Sequence, residues 1–416
     1  MSQYKPYAEY KDSEIDWLGD ARIPADWEAC ALRWHSRMQS GDFITAEAIE
    51  NEGDYPVYGG NGLRGYTSRF THHGHHVLIG RQGALCGNVN YASGQFWASE
   101  HAVVVTPNRE CDTRWLGEIL RAMDLNQYSV SAAQPGLAVE RIKALEIPIP
   151  PLKEQAMIGR ALDRETARID ALIAKKSRFI ELLKEKRLAL VTAAVTKGLD
   201  PGVKMKDSGV DWIGEVPGHW KVLRIARLFR EAVRTGRADL PVLSISIHSG
   251  ISDTELTAEE RDRKVSHIED REKYKRVVPG DLAYNMMRAW QGAFGAVTVD
   301  GLVSPAYVVA EPLRDLCTAF VECQLRTPMA IEEMRRFSRG VTDFRMRLYW
   351  EQFRDLCICL PPVKEQEAIL AAISQASSRF DALEMKTQRS IDLLKERRSA
   401  LITAAVTGQI DLREAA

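Results

Sequence analysis

Pro150-Pro151-Leu152-Lys153-Glu154-Gln155 is written a second time in this chain, as Pro361-Pro362-Val363-Lys364-Glu365-Gln366. The first copy runs on to Glu181-Leu182-Leu183-Lys184-Glu185-Lys186-Arg187 and Leu190-Val191-Thr192-Ala193-Ala194-Val195-Thr196. The second runs on to Asp392-Leu393-Leu394-Lys395-Glu396-Arg397-Arg398 and Leu401-Ile402-Thr403-Ala404-Ala405-Val406-Thr407. Pro150 corresponds to Pro361 and Leu190 to Leu401 at the same spacing, so no insertion separates the copies. A shorter repeat opens each half: Lys11-Asp12-Ser13, Asp16-Trp17-Leu18-Gly19, Pro24 and Trp27 return as Lys206-Asp207-Ser208, Asp211-Trp212-Ile213-Gly214, Pro217 and Trp220. The chain is two tandem copies of one plan: an opening motif, a variable globular domain, a proline step and a long helix.

The helices follow from spacing. Over 153–197, Ile158, Leu162, Ile169, Leu172, Ile173, Ile180, Leu183 and Leu190 form one apolar stripe. The second copy places Ile369, Ile373, Phe380, Leu383, Ile391, Leu394 and Leu401 likewise. The prolines suit a helix start, and Gly198 and Gly408 sit where left-handed C-caps belong. Such a helix is on the order of 60 Å long at about 1.5 Å per residue. A narrow apolar stripe of that length calls for a partner helix. The simplest partner is the other copy, antiparallel, with the domains at opposite ends of a rod. The alternatives are that each helix packs only on its own domain or pairs with another protein.

Between these landmarks lie short strands and turns. Tyr55 to Gly62 is turn-rich, and Val77 to Ala84 reads as strand into loop. Asn88 to Trp97 reads as a hairpin turning at Ser93-Gly94, and Val297 to Val303 as one turning at Asp300-Gly301. Trp115 to Leu125 reads as helix, Asp281 to Asn285 as strand, and Ser304 to Val309 mirrors Ser99 to Val104.

Composition bounds the function. The chain has 416 residues, which suggests two or three domains at roughly 100–200 residues each. No apolar run approaches the ~20 residues of a membrane span, and the polar start is unlike a signal peptide. The seven scattered cysteines read as reduced thiols of a cytoplasmic protein, with Cys357 and Cys359 packed on a strand. Fifty-six basic residues against fifty-seven acidic ones leave a net charge of −1. A nucleic-acid reader with this balance must concentrate its positive charge locally.

The KDS…DW-x-G openings, the PPLKEQ and PPVKEQ steps, the paired long helices and the strand-to-loop RQGA and WQGA segments resemble the specificity subunits of Type I restriction-modification systems over nearly the whole chain. The resemblance implies an α+β fold. Two similar mixed α/β target-recognition domains, 1–150 and 201–360, would be separated by two long antiparallel helices, 151–200 and 361–416, forming a coiled coil. It implies a non-catalytic DNA-reading subunit with one domain per half-site of a split target. Its partners would be double-stranded DNA, two methyltransferase subunits and restriction subunits, with no cofactor, no metal and no membrane. A rigid rod carrying two readers would set half-sites about one helical turn apart.

Arg, Lys, Asn and Gln read base edges best. In the first domain Asn61, Arg64, Arg81, Gln82 and Gln134 stand in or beside glycine-bearing loops, where backbone approaches a ligand closely. In the second, Arg288, Trp290 and Gln291 occupy the matching loop. Arg335, Arg336, Arg339, Arg345 and Arg347 follow among Phe337, Phe344, Tyr349 and Trp350. Arginine beside aromatics suits phosphate and base contacts. The helix–helix interface is expected at Ile158, Leu162, Ile169, Leu172, Leu183, Leu190, Ile369, Ile373, Phe380, Leu383, Leu394 and Leu401. His72, His73, His75 and His76 fit no zinc spacing and read as a surface loop near DNA. Lys184 to Arg187 and its copy read as a solvated face or a docking surface. No G-x-x-x-x-G-K-[ST] loop and no N-P-P-Y-type methyltransferase motif occurs. The rival readings are a DNA methyltransferase or nuclease with unrecognised catalytic motifs, and a coiled-coil scaffold that binds only proteins.

Overall fold

The computed structural model describes residues 4–83, 85–129, 136–247, 249–255, 271–340 and 346–413. It divides into two compact units: residues 1–177 with 388–416, and residues 178–387. Each long helix is shared between the two. The first spans Leu152–Lys197 and the second Val363–Val406.

In the first unit the opening motif forms a ribbon, Tyr10–Asp12 against Arg22–Pro24. A six-stranded sheet follows, in the order Ser36–Ser40, Ala102–Pro107, His72–Gly80, Val89–Ala98, Tyr55–Gly59, Gly62–Thr67. Its pairings are antiparallel except Tyr55–Gly59 on Val89–Ala98. Helix Thr113–Ala122 starts where Asp112 accepts from the Trp115 amide at 2.8 Å. Trp115, Leu116, Ile119 and Leu120, spaced for one helix face, pack with Val77, Ile79, Val103 and Val105 of the sheet. Leu162, Ile169, Leu401 and Ile402 of the long helices join the same core. Asp170 pairs with Arg398 across the two helices at 3.0 Å.

The second unit repeats the ribbon, Met205–Asp207 on Glu215–Pro217. Its four-stranded antiparallel sheet runs Phe229–Glu231, Tyr307–Pro312, Leu282–Asn285, Phe294–Ala296. Helices Thr318–Leu325 and Pro328–Phe337 follow; Thr327 caps the latter and Pro328 fills its first turn. Trp220, Phe229, Tyr284, Phe294, Phe320 and Phe353 form the core, joined by Val195, Ile369 and Ile373 of the long helices. Arg187 donates to Asp381 at 2.6 Å and Lys184 pairs with Glu384 at 3.2 Å. One partner's number rises by three as the other's falls by three, so the helices run antiparallel here. The Lys184–Arg187 segment thus bridges helices rather than forming only a solvated face.

The PPxKEQ step works the same way in both units. The Pro151 and Pro362 carbonyls accept the first helical amides. Gln155 donates to the Pro150 carbonyl at 2.9 Å and accepts from the Asp112 amide at 3.1 Å. Gln366 donates to the Pro361 carbonyl at 2.8 Å and accepts from the Cys317 amide at 2.8 Å. Both glutamines are buried, so each ties the end of a strand to the start of a neighbouring helix. The helices end as expected on left-handed glycines, Gly198 at φ +77° and Gly408 at φ +74°. A Cβ on Gly408 would lie 2.3 Å from Pro24 of the opening motif.

Four expectations are corrected. Ser93-Gly94 is not a turn: it lies inside the ten-residue strand Val89–Ala98, with Gly94 opposite Gly74 and both at positive φ. Paired glycines let two long strands bend together, and long-range pairing overrides the local turn signal. Asp300-Gly301 is not a hairpin turn either, because Gly301–Val303 pairs with Lys275–Val277. The four histidines lie on strand His72–Gly80 rather than in a loop. Leu172, Leu190 and Leu383 are exposed, whereas Ile158, Leu162, Ile169, Leu183, Ile369, Ile373 and Leu401 are buried and Phe380 and Leu394 half-buried. The less exposed stripe of the first helix alternates three and four residues through Leu162, Thr166, Ile169, Ile173, Lys176, Ile180, Leu183 and Arg187. Leu172 stands off that seam, whereas Leu190 continues its spacing three residues after Arg187 and is nonetheless 36% exposed.

Candidate nucleic-acid interface

In the first unit two glycine loops interlock. Gly59 pairs with Gly62 across a turn at Gly60-Asn61, and Gly62 takes φ +93°. The other loop leaves the strand end at Gly80. A Cβ on Gly80 would meet the Gly60 carbonyl oxygen at 2.0 Å, and one on Gly60 would meet the Gln82 and His101 carbonyls at 3.2 and 3.3 Å. Only glycine permits that approach of two backbones. The result is an open cleft of about 710 Å³ lined by Gly60, Asn61, Gly62, Leu63, Arg64, Gln82, Gly83, Leu85 and His101.

Three residues singled out from sequence, Asn61, Arg64 and Gln82, therefore share one cleft. Asn61 Oδ1 accepts from Asn88 Nδ2 at 2.9 Å, which fixes the acceptor end of its amide. Arg81 is half-buried and sits apart: its guanidinium donates to Ser40 Oγ at 3.2 Å, and its amide donates to the His101 carbonyl at 2.9 Å. Gln134 lies outside the described residues. Sequence reasoning missed Leu63, Leu85 and His101; their signal was position, between the glycines of GGNGLRG and RQGALCG and just past the strand ending at Ala98.

The histidines at the far end of the same strand are held by the sheet. His72 stacks on Phe96 at 5.5 Å, His75 Nδ1 lies 3.0 Å from Ser93 Oγ, and His76 Nε2 lies 3.0 Å from the His73 carbonyl. Burial first, and then His76, hold His72 below the usual histidine range, with Asp42 opposing. Among the described residues no group of three His, Cys, Asp or Glu is placed to hold a metal ion.

In the second unit the strand Leu282–Asn285 leads into a short turn, Ala289–Gln291, closed by Gly292 at φ +89°. Trp290 Nε1 donates to the Met287 carbonyl at 3.0 Å, and the Arg335 guanidinium lies 5.6 Å from the Trp290 ring centre. Arg339 and Arg347 exchange two backbone hydrogen bonds of 2.9 Å, and the Leu348 amide donates to the Met286 carbonyl at 2.9 Å. These bonds bring Arg288, Trp290, Arg335, Arg339 and Arg347 into one neighbourhood from three separate segments. Gln291 is exposed beside them, and exposed Arg336 pairs with Glu333 at 3.3 Å. Arg345 lies outside the described residues. Stacked arginine and tryptophan present charge and a flat apolar face together.

Each unit thus joins an α+β body to a loop cluster of Arg, Asn, Gln or Trp, on a chain whose two halves repeat one motif. Comparison with known proteins finds matches to part of this chain. Residues 24–182 match the family described as Type I restriction modification DNA specificity domain. Over 164 residues the chain is 41% identical to the type I restriction enzyme EcoprrI specificity subunit of Escherichia coli, covering 38% of this chain and 40% of that subunit. The chain spans less than two thirds of the length of the curated relatives it matches. The crystal structure of the HsdS subunit from Thermoanaerobacter tengcongensis shares its fold, with TM-score 0.51, 16% identity, and 94% of this chain and 99% of that one covered. So does a chain from a structure described as the structural basis underlying complex assembly and conformational transition of the type I R-M system, with TM-score 0.64, 15% identity, and 94% and 100% covered. Over residues 24–182 this chain is similar to the type I restriction modification DNA specificity domain, and its fold is that of the two solved structures. No helix among the described residues is long and apolar enough to cross a membrane.

Proposed function

We propose that this chain is the DNA sequence-recognition subunit of a Type I restriction-modification complex, reading a bipartite target with one domain per half-site. The carrying observation is the duplicated placement of readers: Asn61, Arg64 and Gln82 in one glycine-loop cleft, and Arg288, Trp290 and Arg335 around the corresponding loop of the other unit. We assign the two target-recognition domains to residues 1–150 and 201–360, and the two repeated helices to 151–200 and 361–416. Arg81, Gln134, Gln291, Arg336, Arg339, Arg345 and Arg347 complete the DNA-contacting set. The arginines of the second domain supply phosphate contacts that make up for a net charge of −1.

In this reading the helices dock two methyltransferase subunits and, through them, restriction subunits, in the cytoplasm. The chain itself performs no chemistry; methyl transfer and cleavage belong to the partners. Methylome sequencing of cells expressing the chain with its partner subunits tests the reading. A modified motif of two separated parts supports it. Absence of any modified motif, together with no salt-dependent binding of duplex DNA by the chain, overturns it.

A further inference from the structure

Two leucines on the first unit's cleft stand outside its buried hydrophobic clusters. Leu63 and Leu85 line it together with Asn61, Arg64 and Gln82, yet they are 54% and 50% exposed. Leu63 follows the Gly60-Asn61 turn and Leu85 follows Gln82-Gly83, so the interlocked loops present both beside the polar readers. A partner that fits this arrangement carries a small apolar group among hydrogen-bonding edges. In the DNA major groove that group is the C5 methyl of thymine, whose adenine partner shows the N6 donor and N7 acceptor that an asparagine or glutamine amide reads bidentately. A G·C pair shows no methyl there.

We propose that Leu63 and Leu85 are specificity-determining residues that pack on a thymine methyl in the half-site read by the first unit. An A·T pair there is distinguished by its methyl as well as by the amides of Asn61 and Gln82. This rests on the DNA-reading role proposed above.

The test uses the full chain. Duplexes are selected by binding from a pool with randomised positions, and the selected duplex is remade with deoxyuridine replacing each thymidine in turn. In the half-site that Asn61→Ala relaxes, one uracil substitution lowers affinity about fourfold, which corresponds to ~0.8 kcal/mol for one buried methyl-sized group. In the Leu63→Ala/Leu85→Ala variant the thymine and uracil duplexes bind equally. Retained selectivity at the other positions of the same half-site shows that the first unit is folded in this variant. Leu63→Gln and Leu85→Gln, each at an exposed position, narrow the same gap singly if the double variant is lost. Uracil tolerated throughout that half-site, or a thymine–uracil gap that persists in the variants, overturns the leucine assignment and leaves DNA reading intact. A chain that selects no sequence overturns both.

Discussion

The Trp27 indole donates to Glu154 at 3.2 Å, and the Trp220 indole donates to Glu365 at 2.9 Å. In each unit the tryptophan of the opening motif is thereby fastened to the glutamate of the proline step. Glu154 is buried and also accepts from the Tyr7 hydroxyl at 2.6 Å. Glu365 is half-buried, with His219 2.7 Å away. The two positions share a motif but not an environment.

Glu154→Ala leaves the Tyr7 and Trp27 donors buried without an acceptor. Losing a charged acceptor shared by two buried donors costs about 2–3 kcal/mol, whereas Glu365→Ala strands one buried donor, Trp220, while water replaces the contact to exposed His219, and costs about 1 kcal/mol. Urea unfolding of the two variants should show the larger loss for Glu154→Ala. Equal losses would contradict the difference in burial.

Gly80→Ala should damage the first unit's cleft specifically. Its Cβ would meet the Gly60 carbonyl at 2.0 Å, and a backbone atom cannot swing aside as a side chain can. Selection from a randomised duplex pool should show one half-site blurred and the other intact. Sharp selection of both half-sites would mean that the loops do not need to interlock.

Stability should fall on mild acidification. Burial holds His35 and His72 below the ordinary histidine value of 6.5. A group lowered in the fold binds its proton more readily once unfolded. Its contribution is therefore complete above about pH 6.5 and shrinks as pH falls from there through the folded value. Thermal unfolding between pH 8 and pH 5.5 should show this loss, and His35→Gln should flatten it. A melting temperature that rises on acidification across this window would refute the assignment.

Burial pushes the thiols of Cys111 and Cys359 up to about 12 and that of Cys323 up to about 11. The thiolate is the reactive form, so these three should resist alkylation at pH 8 in the folded chain and label after unfolding. Rapid modification of Cys359 in the native protein, mapped by mass spectrometry, would contradict its packing between Gln324 and Val195.

The helices, their glycine caps and the duplication were legible in the sequence because each rests on local, periodic signals. Ile158, Leu162, Ile169, Ile369 and Leu401 are buried as their spacing requires. Leu172 was misplaced because Ile173 beside it fits the seam's alternation of three and four. Sheet pairing was not legible: Gly94 reads locally as a turn and becomes strand only because Gly74 lies opposite. In the cleft, Asn61, Arg64 and Gln82 were found from their glycine neighbours. The exposed leucines were not, since apolar residues in sequence read as core. The guanidinium of Arg81 turns to Ser40, a contact between distant segments that no local pattern encodes.

The central claim is that each unit reads its own half of the target, and paired variants test it most directly. Arg64→Ala alters the first unit's cleft and Arg288→Ala the corresponding loop of the second. Each, compared with the parent chain by selection from a randomised duplex pool, should relax base preference in one half-site only, by about 1–3 kcal/mol for a lost base contact. The two variants should affect opposite halves. Loss of preference in both halves from either single substitution would contradict the claim.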